Sequence, residues 1–457
     1  EQDAQGAQAV WASTVGFTGE IVKFDAQSLR VIDRFVPSTG GTVSTSGAYN
    51  LLDRDQRLIV GQSDALQVYG DAVPGDHHSG IQQLKQFSLP AAARCGSRAD
   101  ELVGITMLPN GYVAFATKFG MLGVVPRQPE AMCAETLSVY SLNGDERCND
   151  ASIPDSELEQ VSNSISADEQ NNLYVVTSGA QYRIRWDGHA LEPDWRAAYE
   201  GAGGSGGGRL GAGSGSTPSL MGQPGSKDRF VVITDGQPLM HLVLMWQDEI
   251  PADWQPIKPG RDRRIACEVP VNFGDESVTE SLSEQSVLVR GYAAVVVNNL
   301  FKLNKLFAQV PGQLQPFTQL VSGLAINRPA GLQRIDWDPE TRSCHTVWAN
   351  TEVSIPNGIP TMSAASGQIF GIGSRTINGL DTWTLESVDF ATGKSRFNIP
   401  STPYPTDNSF FAGTTIGPGN SVWTGTFGGL TRFQDCADGE DCNRRTRNPL
   451  VHLPFLP

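Results

Sequence analysis

The chain has 457 residues, 39% of them hydrophobic, so it can bury a large core and is neither intrinsically disordered nor a small disulfide-stabilised scaffold. Only 18% of the residues are charged, and the 49 glycines and 28 prolines favour many short strands joined by turns over long helices. The 49 acidic and 34 basic residues give a net charge of −15, which repels nucleic-acid phosphates and excludes nucleic acid as a partner.

One pattern recurs along the chain: an apolar strand, a polar or glycine-containing turn, and a second strand. Eight of the apolar strands are predicted in chain order, at 9–14, 57–62, 112–117, 173–177, 230–234, 293–298, 368–373 and 421–426. Neighbouring copies lie roughly 48 to 75 residues apart, which suits four-stranded propeller blades with connections of variable length. A solenoid would keep a tighter period.

Four of the second strands end in an aspartate that is followed by small or turn-forming residues. These aspartates are Asp25, Asp187, Asp338 and Asp389. A short carboxylate at this position can accept hydrogen bonds from the backbone N–H groups of the hairpin that follows. We therefore predict that each of the four holds the next turn.

Three further segments are Ser216-Thr-Pro-Ser-Leu, the strand 230–234 and the hairpin 388–397, which reads Val-Asp-Phe-Ala-Thr-Gly-Lys-Ser-Arg-Phe. They resemble the repeats of quinoprotein-like β-propellers, the PQQ-repeat-like superfamily of quinone-dependent alcohol dehydrogenases and non-catalytic assembly proteins. For the enzymes, the resemblance implies a Ca²⁺ ion held by Glu and Asn beside a catalytic Asp, with Glu284, Asn299 and Asp235 as counterparts. The adjacent cysteine pair of those enzymes is missing and this chain is shorter, so PQQ is not expected.

First strands are predicted for seven of the eight units, around residues 48, 103, 164, 219, 287, 362 and 414. The predicted fold is an all-β, eight-bladed β-propeller with four-stranded antiparallel blades around a central channel, and a seven-bladed propeller is the alternative. No blade buries both faces without its neighbours, so residues 1–457 are predicted to form a single domain. The segment 450–455 is expected to pair as an outer strand.

In a propeller, the connections between blades and the turns between the two middle strands share one face, where binding sites usually gather. Candidate catalytic residues on this face are His241, Glu284, Asp235, Arg375 and Lys118, and candidate substrate-binding residues are Asn163, Ser216, Asn299, Asn357 and Asn408. His241 or Glu284 would act as a base, and Arg375 or Lys118 would stabilise developing negative charge. The alternative for each residue is structural, as a cap that bonds strand starts and edges.

Calcium is a candidate cofactor, because Glu101, Glu284 and Asn299 could supply the oxygen ligands that Ca²⁺ prefers. No calcium-loop motif organises these residues, and only their predicted positions suggest the site. Zinc is not expected, since the 7 cysteines include no C-x-x-C pair and no Cys/His cluster at zinc spacing.

A long connection between the second and third strands of the sixth unit, at about 300–329, is predicted on the same face, and we call it the insert. Its residues 301–310 carry apolar side chains spaced for one helical face. Leu303, Leu306 and Phe307 then need a surface to bury against. We expect the insert to cover part of the channel mouth as a lid.

Cysteine spacing predicts local disulfides. Cys436 and Cys442 bracket a polar turn and are expected to pair, and Cys133 and Cys148 bracket another possible hairpin, with buried free thiols as the alternative. The chain starts Glu-Gln-Asp without a methionine, as a mature exported protein would, so a periplasmic or secreted location is expected. No run of about 18 apolar residues occurs, and no membrane insertion is expected.

Three functions remain open from the sequence. The first is an exported enzyme that acts on a small organic or polymer-derived substrate at the channel mouth, by hydrolysis or elimination. The second is a non-catalytic propeller that binds a protein partner or an envelope component, and the third is a quinone-dependent oxidoreductase. Convergent polar groups at the mouth would favour the enzyme, whereas an open apolar face would favour the binding protein.

Overall fold

The computed structural model describes residues 3, 6–14, 19–37, 49–201, 211–310, 318–435 and 444–445. Within these ranges the strands form eight antiparallel sheets, seven of four strands and one of three. The fold is an eight-bladed β-propeller, as the eight predicted apolar strands indicated, and the seven-bladed alternative is wrong. No helix in the described part of the chain is long and apolar enough to cross a membrane.

The chain divides into two compact units, and the first comprises the described residues up to Gly201 together with Ala212–Pro218. It contains blades 1 to 4. Blade 1 has β1 (Ala9–Ser13), β2 (Ile21–Asp25) and β3 (Val31–Phe35); blade 2 has β4 (Asn50–Leu52), β5 (Leu58–Gln62), β6 (Ala65–Asp71) and β7 (Ile81–Ser88); blade 3 has β8 (Leu102–Met107), β9 (Tyr112–Thr117), β10 (Met121–Pro126) and β11 (Ser138–Ser141); blade 4 has β12 (Ser166–Ala167), β13 (Leu173–Val176), β14 (Ala180–Trp186) and β15 (Leu191–Ala198).

The second unit continues from Ser219 and contains blades 5 to 8. Blade 5 has β16 (Ser219–Met221), β17 (Phe230–Thr234), β18 (His241–Trp246) and β19 (Ile265–Pro270); blade 6 has β20 (Leu288–Arg290), β21 (Ala293–Val297), β22 (Leu332–Asp338) and β23 (Ser343–Asn350); blade 7 has β24 (Thr361–Ser363), β25 (Gln368–Ile377), β26 (Leu380–Asp389) and β27 (Ser395–Pro400); blade 8 has β28 (Thr414–Gly417), β29 (Ser421–Thr426), β30 (Gly429–Phe433) and β31 (Arg444–Arg445). In every four-stranded blade, consecutive strands pair in order from first to fourth.

Helices are short wherever the chain is described. The α-helices are α1 (Asp145–Asn149) and α2 (Asn304–Phe307), and single 3-10 turns lie at Ala91–Ala93, Ala134–Thr136, Asp155–Glu157, Gln319–Val321 and Pro405–Asp407. This agrees with the prediction that long helices are disfavoured in so glycine- and proline-rich a chain.

The second strand of a blade is apolar at every position because it packs against a blade on each side. In β21, Ala294 and Val296 join a core with residues of blade 5, while Ala293, Val295 and Val297 join a separate core with residues of blade 7. Successive side chains of a strand point to opposite faces, so filling both faces requires an unbroken apolar run. Strand β9 divides in the same way between blades 2 and 4.

The four strand-ending aspartates hold the turns that follow them, as predicted. Each carboxylate accepts a backbone N–H from two or three residues further on, at 2.6 to 2.8 Å. The acceptor and donor residues are Asp25 and Ser28, Asp187 and Ala190, Asp338 and Glu340, and Asp389 and Thr392. Hydrogen bonds from Arg396 and Thr392 also lower the pKa of Asp389 to about 2.

Two disulfides are present in the described residues, and the predicted spacing rule for them is wrong. Cys95 pairs with Cys148 in the first unit, where the expected hairpin bridge would have joined Cys148 to Cys133. Cys133 is instead a free thiol. Cys267 and Cys344 join the fourth strands of blades 5 and 6. The partners are 53 and 77 residues apart, so packing between connections and blades, not local hairpins, brings them together.

Two predictions lie outside the described residues: the Cys436–Cys442 disulfide and the outer strand at 450–455. The two observed disulfides are typical of proteins in oxidising compartments and are therefore compatible with a periplasmic or secreted location.

Candidate functional site

Within an antiparallel blade, the turn between the second and third strands lies at the same end as the connection that leaves the fourth strand. We call this end the connection face of each unit. It comprises residues 63–64, 89–101, 118–120, 142–165, 177–179 and 212–218 in the first unit, and 235–240, 271–287, 298–331, 351–360 and 401–413 in the second. The predicted site residues lie on these segments, except His241, which begins β18, and Arg375, which lies inside β25.

In the first unit, the candidate residues bond the connections to one another. Lys118 has an exposed side chain, and its backbone N–H donates to the Glu101 carbonyl oxygen at 2.9 Å. Asn163 is 8% exposed and donates from Nδ2 to the Ser214 carbonyl oxygen at 2.9 Å. Ser216 is completely buried, and its N–H donates to Ser214 Oγ. These side chains stabilise the connections, which is the structural role that the sequence left open.

In the second unit, Glu284 and Asn299 lie side by side. Asn299 Oδ1 accepts the Glu284 N–H at 2.8 Å, and Asn299 Nδ2 donates to the Pro356 carbonyl oxygen at 2.8 Å. The Asn299 N–H donates to the Leu282 carbonyl oxygen, also at 2.8 Å. One buried amide thus connects three consecutive segments of the connection face.

Asn357 and Asn408 lie beneath the insert, and neither has any exposed surface. Asn357 Nδ2 lies 2.8 Å from Asn408 Oδ1 and 2.7 Å from Ser322 Oγ of the insert. Asn408 Nδ2 donates to the Gln319 carbonyl oxygen, also in the insert, at 2.7 Å. The two predicted substrate-binding amides therefore hold the insert in place.

The insert lies on the predicted face, but its structure differs from the expected helix. Only Asn304–Phe307 is α-helical, and Leu306 is 58% exposed instead of buried. Bonds on the far side of the insert fix it to the β25–β26 hairpin, because Ser374 Oγ donates to the Gly323 carbonyl oxygen at 2.6 Å. The apolar anchor is Phe301, which is 2% exposed and precedes the helix.

A cluster of three partly exposed phenylalanines follows Asn408. Phe410 and Phe411 have φ values of 39° and 60°, a left-handed conformation that bulky residues rarely adopt. Their N–H groups donate to Asn408 Oδ1 and to the Asn357 carbonyl oxygen, each at 3.0 Å. The Phe410 ring centroid lies 4.5 Å from that of Phe427. Backbone strain of this kind gathers at functional sites.

Asp235 and His241 form an Asp–His pair at the turn between β17 and β18. Asp235 Oδ2 lies 3.0 Å from His241 Nδ1, and Asp235 Oδ1 accepts the His241 N–H at 2.8 Å. Gln237 Nε2 donates to Asp235 Oδ2 at 2.7 Å and fixes the carboxylate. The carboxylate is buried and 18% of the histidine side chain is exposed, so a neutral ring that donates from Nδ1 presents the Nε2 lone pair outward.

Arg375 was expected in the turn between the second and third strands, but β25 continues two residues beyond it, because β25 and β26 form a long hairpin. Its guanidinium makes two hydrogen bonds to Glu386, at 2.8 and 2.6 Å, and Glu386 is completely buried. These hydrogen bonds raise the pKa of Arg375. The arginine therefore neutralises a buried carboxylate.

Calcium binding at Glu284 and Asn299 stays a prediction. Together they would supply two of the roughly six to eight oxygens that Ca²⁺ takes. Glu101, the third predicted ligand, belongs to the first unit. In the described parts of the chain, no three His, Cys, Asp or Glu side chains are grouped closely enough to hold a metal ion.

Comparison with known proteins identifies a relative. No protein-family model matches the chain. An uncharacterized protein of Archaeoglobus fulgidus is 44% identical over 428 residues, which cover 94% of this chain and 78% of that protein. The chain belongs to the family of this Archaeoglobus protein.

Solved structures show that the fold of this Archaeoglobus protein family is shared with other β-propellers. Quinohemoprotein alcohol dehydrogenase from Comamonas testosteroni is 13% identical with a TM-score of 0.52, over 93% of this chain and 70% of that one. BamB from Moraxella catarrhalis is 11% identical with a TM-score of 0.47, over 93% and 88% of the two chains. At these identities the similarity extends to the fold alone.

Several contacts of the family's connection face were not predicted from the sequence. Gln237 follows Asp235 by two residues, a spacing at which side chains around a turn often bond, and it was the one partner that the local sequence could have indicated. Gln319, Ser322 and Glu386 reach their partners through contacts between different segments, which no local pattern reveals.

Proposed function

We propose that the protein is a non-catalytic propeller that binds a protein partner through the insert. The observation that carries this proposal is a set of exposed aliphatic side chains, which we call the insert surface: Leu306, Leu324, Ile326 and Leu380. They are 58%, 38%, 70% and 60% exposed, respectively. Contiguous exposed apolar surface on a soluble protein marks an interaction site more often than a catalytic one.

Hydrogen bonds keep these side chains together. The Ala325 N–H donates to Asp381 Oδ2 at 2.9 Å, and Asp381 directly follows Leu380 at the tip of the β25–β26 hairpin. Ala325 lies between Leu324 and Ile326, so the hairpin tip and the insert meet at this bond. Beneath them, the buried Asn357 and Asn408 hold the preceding turn of the insert. A surface fixed in this way loses little conformational entropy when a partner binds.

The charges beside the insert surface suggest the chemistry of the partner. Lys305 is 81% exposed beside Leu306, and its partner Glu280 lies 3.2 Å away at the surface. Lys302 is also exposed, in a chain whose net charge is −15. A partner segment with apolar residues flanked by carboxylates would therefore be complementary here and repelled elsewhere. The phenylalanine cluster on the same face offers aromatic anchors, which are frequent at binding hot spots.

A triple variant tests this proposal. L306S/I326S/L380S removes the apolar side chains from exposed positions and should leave the fold intact. The matched control V31S/V73S/L84S changes three exposed aliphatic residues of the first unit, which are 38%, 57% and 38% exposed. Proteins retained by the wild type are identified, purified and titrated against all three forms by calorimetry. We expect affinity to fall at least about tenfold for the insert variant only.

Equal affinity of a purified partner for the wild type and the insert variant would show that the insert surface is not the binding site. Equal loss in the insert variant and in the control would instead indicate a general effect of added polarity.

Hydrolysis is a second candidate function, and the Asp235–His241 pair supports it. A neutral His241 that donates from Nδ1 to Asp235 could take a proton from water through Nε2, as a general base does. Initial rates on a series of p-nitrophenyl esters, from acetate to octanoate, would measure this activity. H241A should lower the rate at least about 100-fold, while H189A, at an exposed turn, should leave it unchanged. Equal rates for wild type and H241A would remove the enzyme from consideration.

A further inference from the structure

We propose that a cleft in the first unit binds a small organic carboxylate. The cleft has a volume of about 220 Å³ and lies at the opposite end of the strands from the connection face, between the β4–β5 and β8–β9 turns. Its lining includes Leu52, Arg54, Met107, Pro109, Gly111 and Arg127. None of these residues belongs to the insert or to the Asp235–His241 pair, so this site is independent of the function proposed above.

Arg127 is the central residue of the cleft. It is 3% exposed, and its Nη1 donates to Asp53 Oδ2 at 2.6 Å and to Asp55 Oδ2 at 2.5 Å. Its Nε and Nη2 atoms donate to no residue in the described part of the chain. Those two atoms form one edge of the guanidinium, the edge that binds a carboxylate through two parallel hydrogen bonds. A buried cation thus keeps its bidentate edge available.

Gly111 leaves that edge open. Its φ is +86°, and a Cβ atom added to it would lie 3.6 Å from Arg127 Nε, with no other atom within 4 Å. A side chain at this position would extend over the guanidinium edge. The left-handed backbone of the turn favours glycine here, and the missing side chain gives a ligand access to Nε.

Charge in the cleft favours an anion. The Asp53 carboxylate already accepts bonds from Arg57 Nε at 2.9 Å and from Arg127, and the Asp55 carboxylate is bonded to the same two arginines. Two carboxylates and two guanidinium groups balance each other. Arg54 adds an exposed cation to the lining and leaves a net positive charge for a ligand to neutralise.

The rest of the lining selects the ligand further. Leu52, Met107, Leu108 and Pro109 form apolar walls next to the arginine edge. A cleft of this size is below the range of about 300–1,000 Å³ that drug-sized ligands occupy. The ligand class is therefore a carboxylate on a short apolar group, either as a free acid or as the C-terminal residue of a peptide.

Ligand-observed saturation-transfer NMR on the full chain tests the proposal. The probes are butyrate and benzoate, with n-butylamine, ethyl butyrate and inorganic phosphate as controls for charge and shape. Butyrate or benzoate should saturate with a dissociation constant below about 20 mM, and the amine and the neutral ester should show no transfer. Phosphate binding as tight as that of butyrate would overturn the requirement for an apolar carboxylate.

Variants assign the binding to this cleft. R127K keeps a cation between Asp53 and Asp55 but removes the Nε–Nη2 edge, and it should weaken butyrate binding at least tenfold. R54E changes an exposed side chain without disturbing the buried network, and it should weaken binding several-fold even if R127K fails to fold. R30A, at an exposed arginine of blade 1 outside the cleft, is the matched control. Unchanged affinity in R54E and R127K would overturn the proposal.

The tripeptide Ala-Ala-Val and its C-terminal amide separate the two sources of the carboxylate. Tighter binding of the free tripeptide than of butyrate, lost in the amide, supports a peptide C-terminus. Binding of butyrate without binding of either tripeptide supports a free organic acid. Failure of all the carboxylate probes in the wild type would overturn the site and leave the insert proposal unaffected.

Discussion

Asn357 Nδ2 lies 2.8 Å from Asn408 Oδ1, and both side chains are completely buried beneath the insert. The pair connects blades 7 and 8 of the second unit with the insert that leaves blade 6. Two residues that the sequence suggested for substrate binding thus act on the structure of the surface that we propose binds a partner. The relationship determines how the insert should respond to mutation.

N357A or N408A should destabilise the second unit and free the insert. Each change removes a buried amide and leaves its partners without hydrogen bonds, at a cost of about 1–3 kcal/mol in the free energy of unfolding. Urea denaturation measures that loss, and limited trypsin digestion should cut faster at Lys302, Lys305 and Arg328. N398A, at an exposed position on β27, is the control and should match the wild type. An unchanged cleavage rate in N357A would contradict this account of the insert.

R375A should be strongly destabilising, because it leaves the Glu386 carboxylate buried without its cation. Removing one partner of a buried ion pair costs about 3–5 kcal/mol, whereas replacing both by apolar residues costs much less. R375M/E386L should therefore be closer to the wild type than R375A in urea denaturation. R396A removes the partner of Asp389 at the surface, with 59% of the arginine side chain exposed, and should cost less than about 1 kcal/mol. Equal losses in R375A and R396A would disprove a structural role for Arg375.

The disulfide between Cys95 and Cys148 should contribute to the stability of the first unit. It closes a loop of 53 residues in the unfolded chain, and bridges of this kind typically contribute about 2–4 kcal/mol. C95S/C148S should lower the denaturation midpoint by a corresponding amount under oxidising conditions. C133S changes the free thiol and should leave the midpoint unchanged, so a loss in C133S would indicate that the pairing is different.

The stability of the first unit should fall between pH 10 and pH 12 through Tyr182. Burial, together with the nearby Glu159 carboxylate, raises the pKa of the Tyr182 phenol to about 12 from 10.0. The folded state keeps this proton longer than the unfolded state, so the stabilisation is complete below pH 10 and is lost as the pH rises through 12. Absorbance at 295 nm follows the phenol, and Y182F should lack the high-pH titration step. A phenol that titrates near pH 10 would contradict burial at this site.

Local patterns predicted the fold correctly. All eight second strands, including β9 and β21, were recognisable because a strand buried on both faces must be apolar at successive positions. The turn-holding role of Asp25, Asp187, Asp338 and Asp389 was equally local, since each carboxylate bonds within three residues of itself. Strand patterns and turn chemistry depend on neighbouring residues, so the sequence contains them directly.

The chemistry of the candidate site depended on contacts across the fold. Asp235 and His241 were each proposed for catalysis, but only the turn between β17 and β18 shows that one carboxylate orients the other's ring. Arg375 seemed available for substrate until β26 placed Glu386 against it.

By itself, the sequence determined the fold class, the number of blades and the ends of the strands to which the polar residues belong. The tertiary structure alone decided which of those residues are exposed, which cysteines pair and which carboxylates are neutralised. The physical reason is distance along the chain. Cys95 meets Cys148 and Asn408 meets Gln319 across 53 and 89 residues. Burial and hydrogen-bond partners over such separations follow from the packing of blades and connections, not from any local pattern.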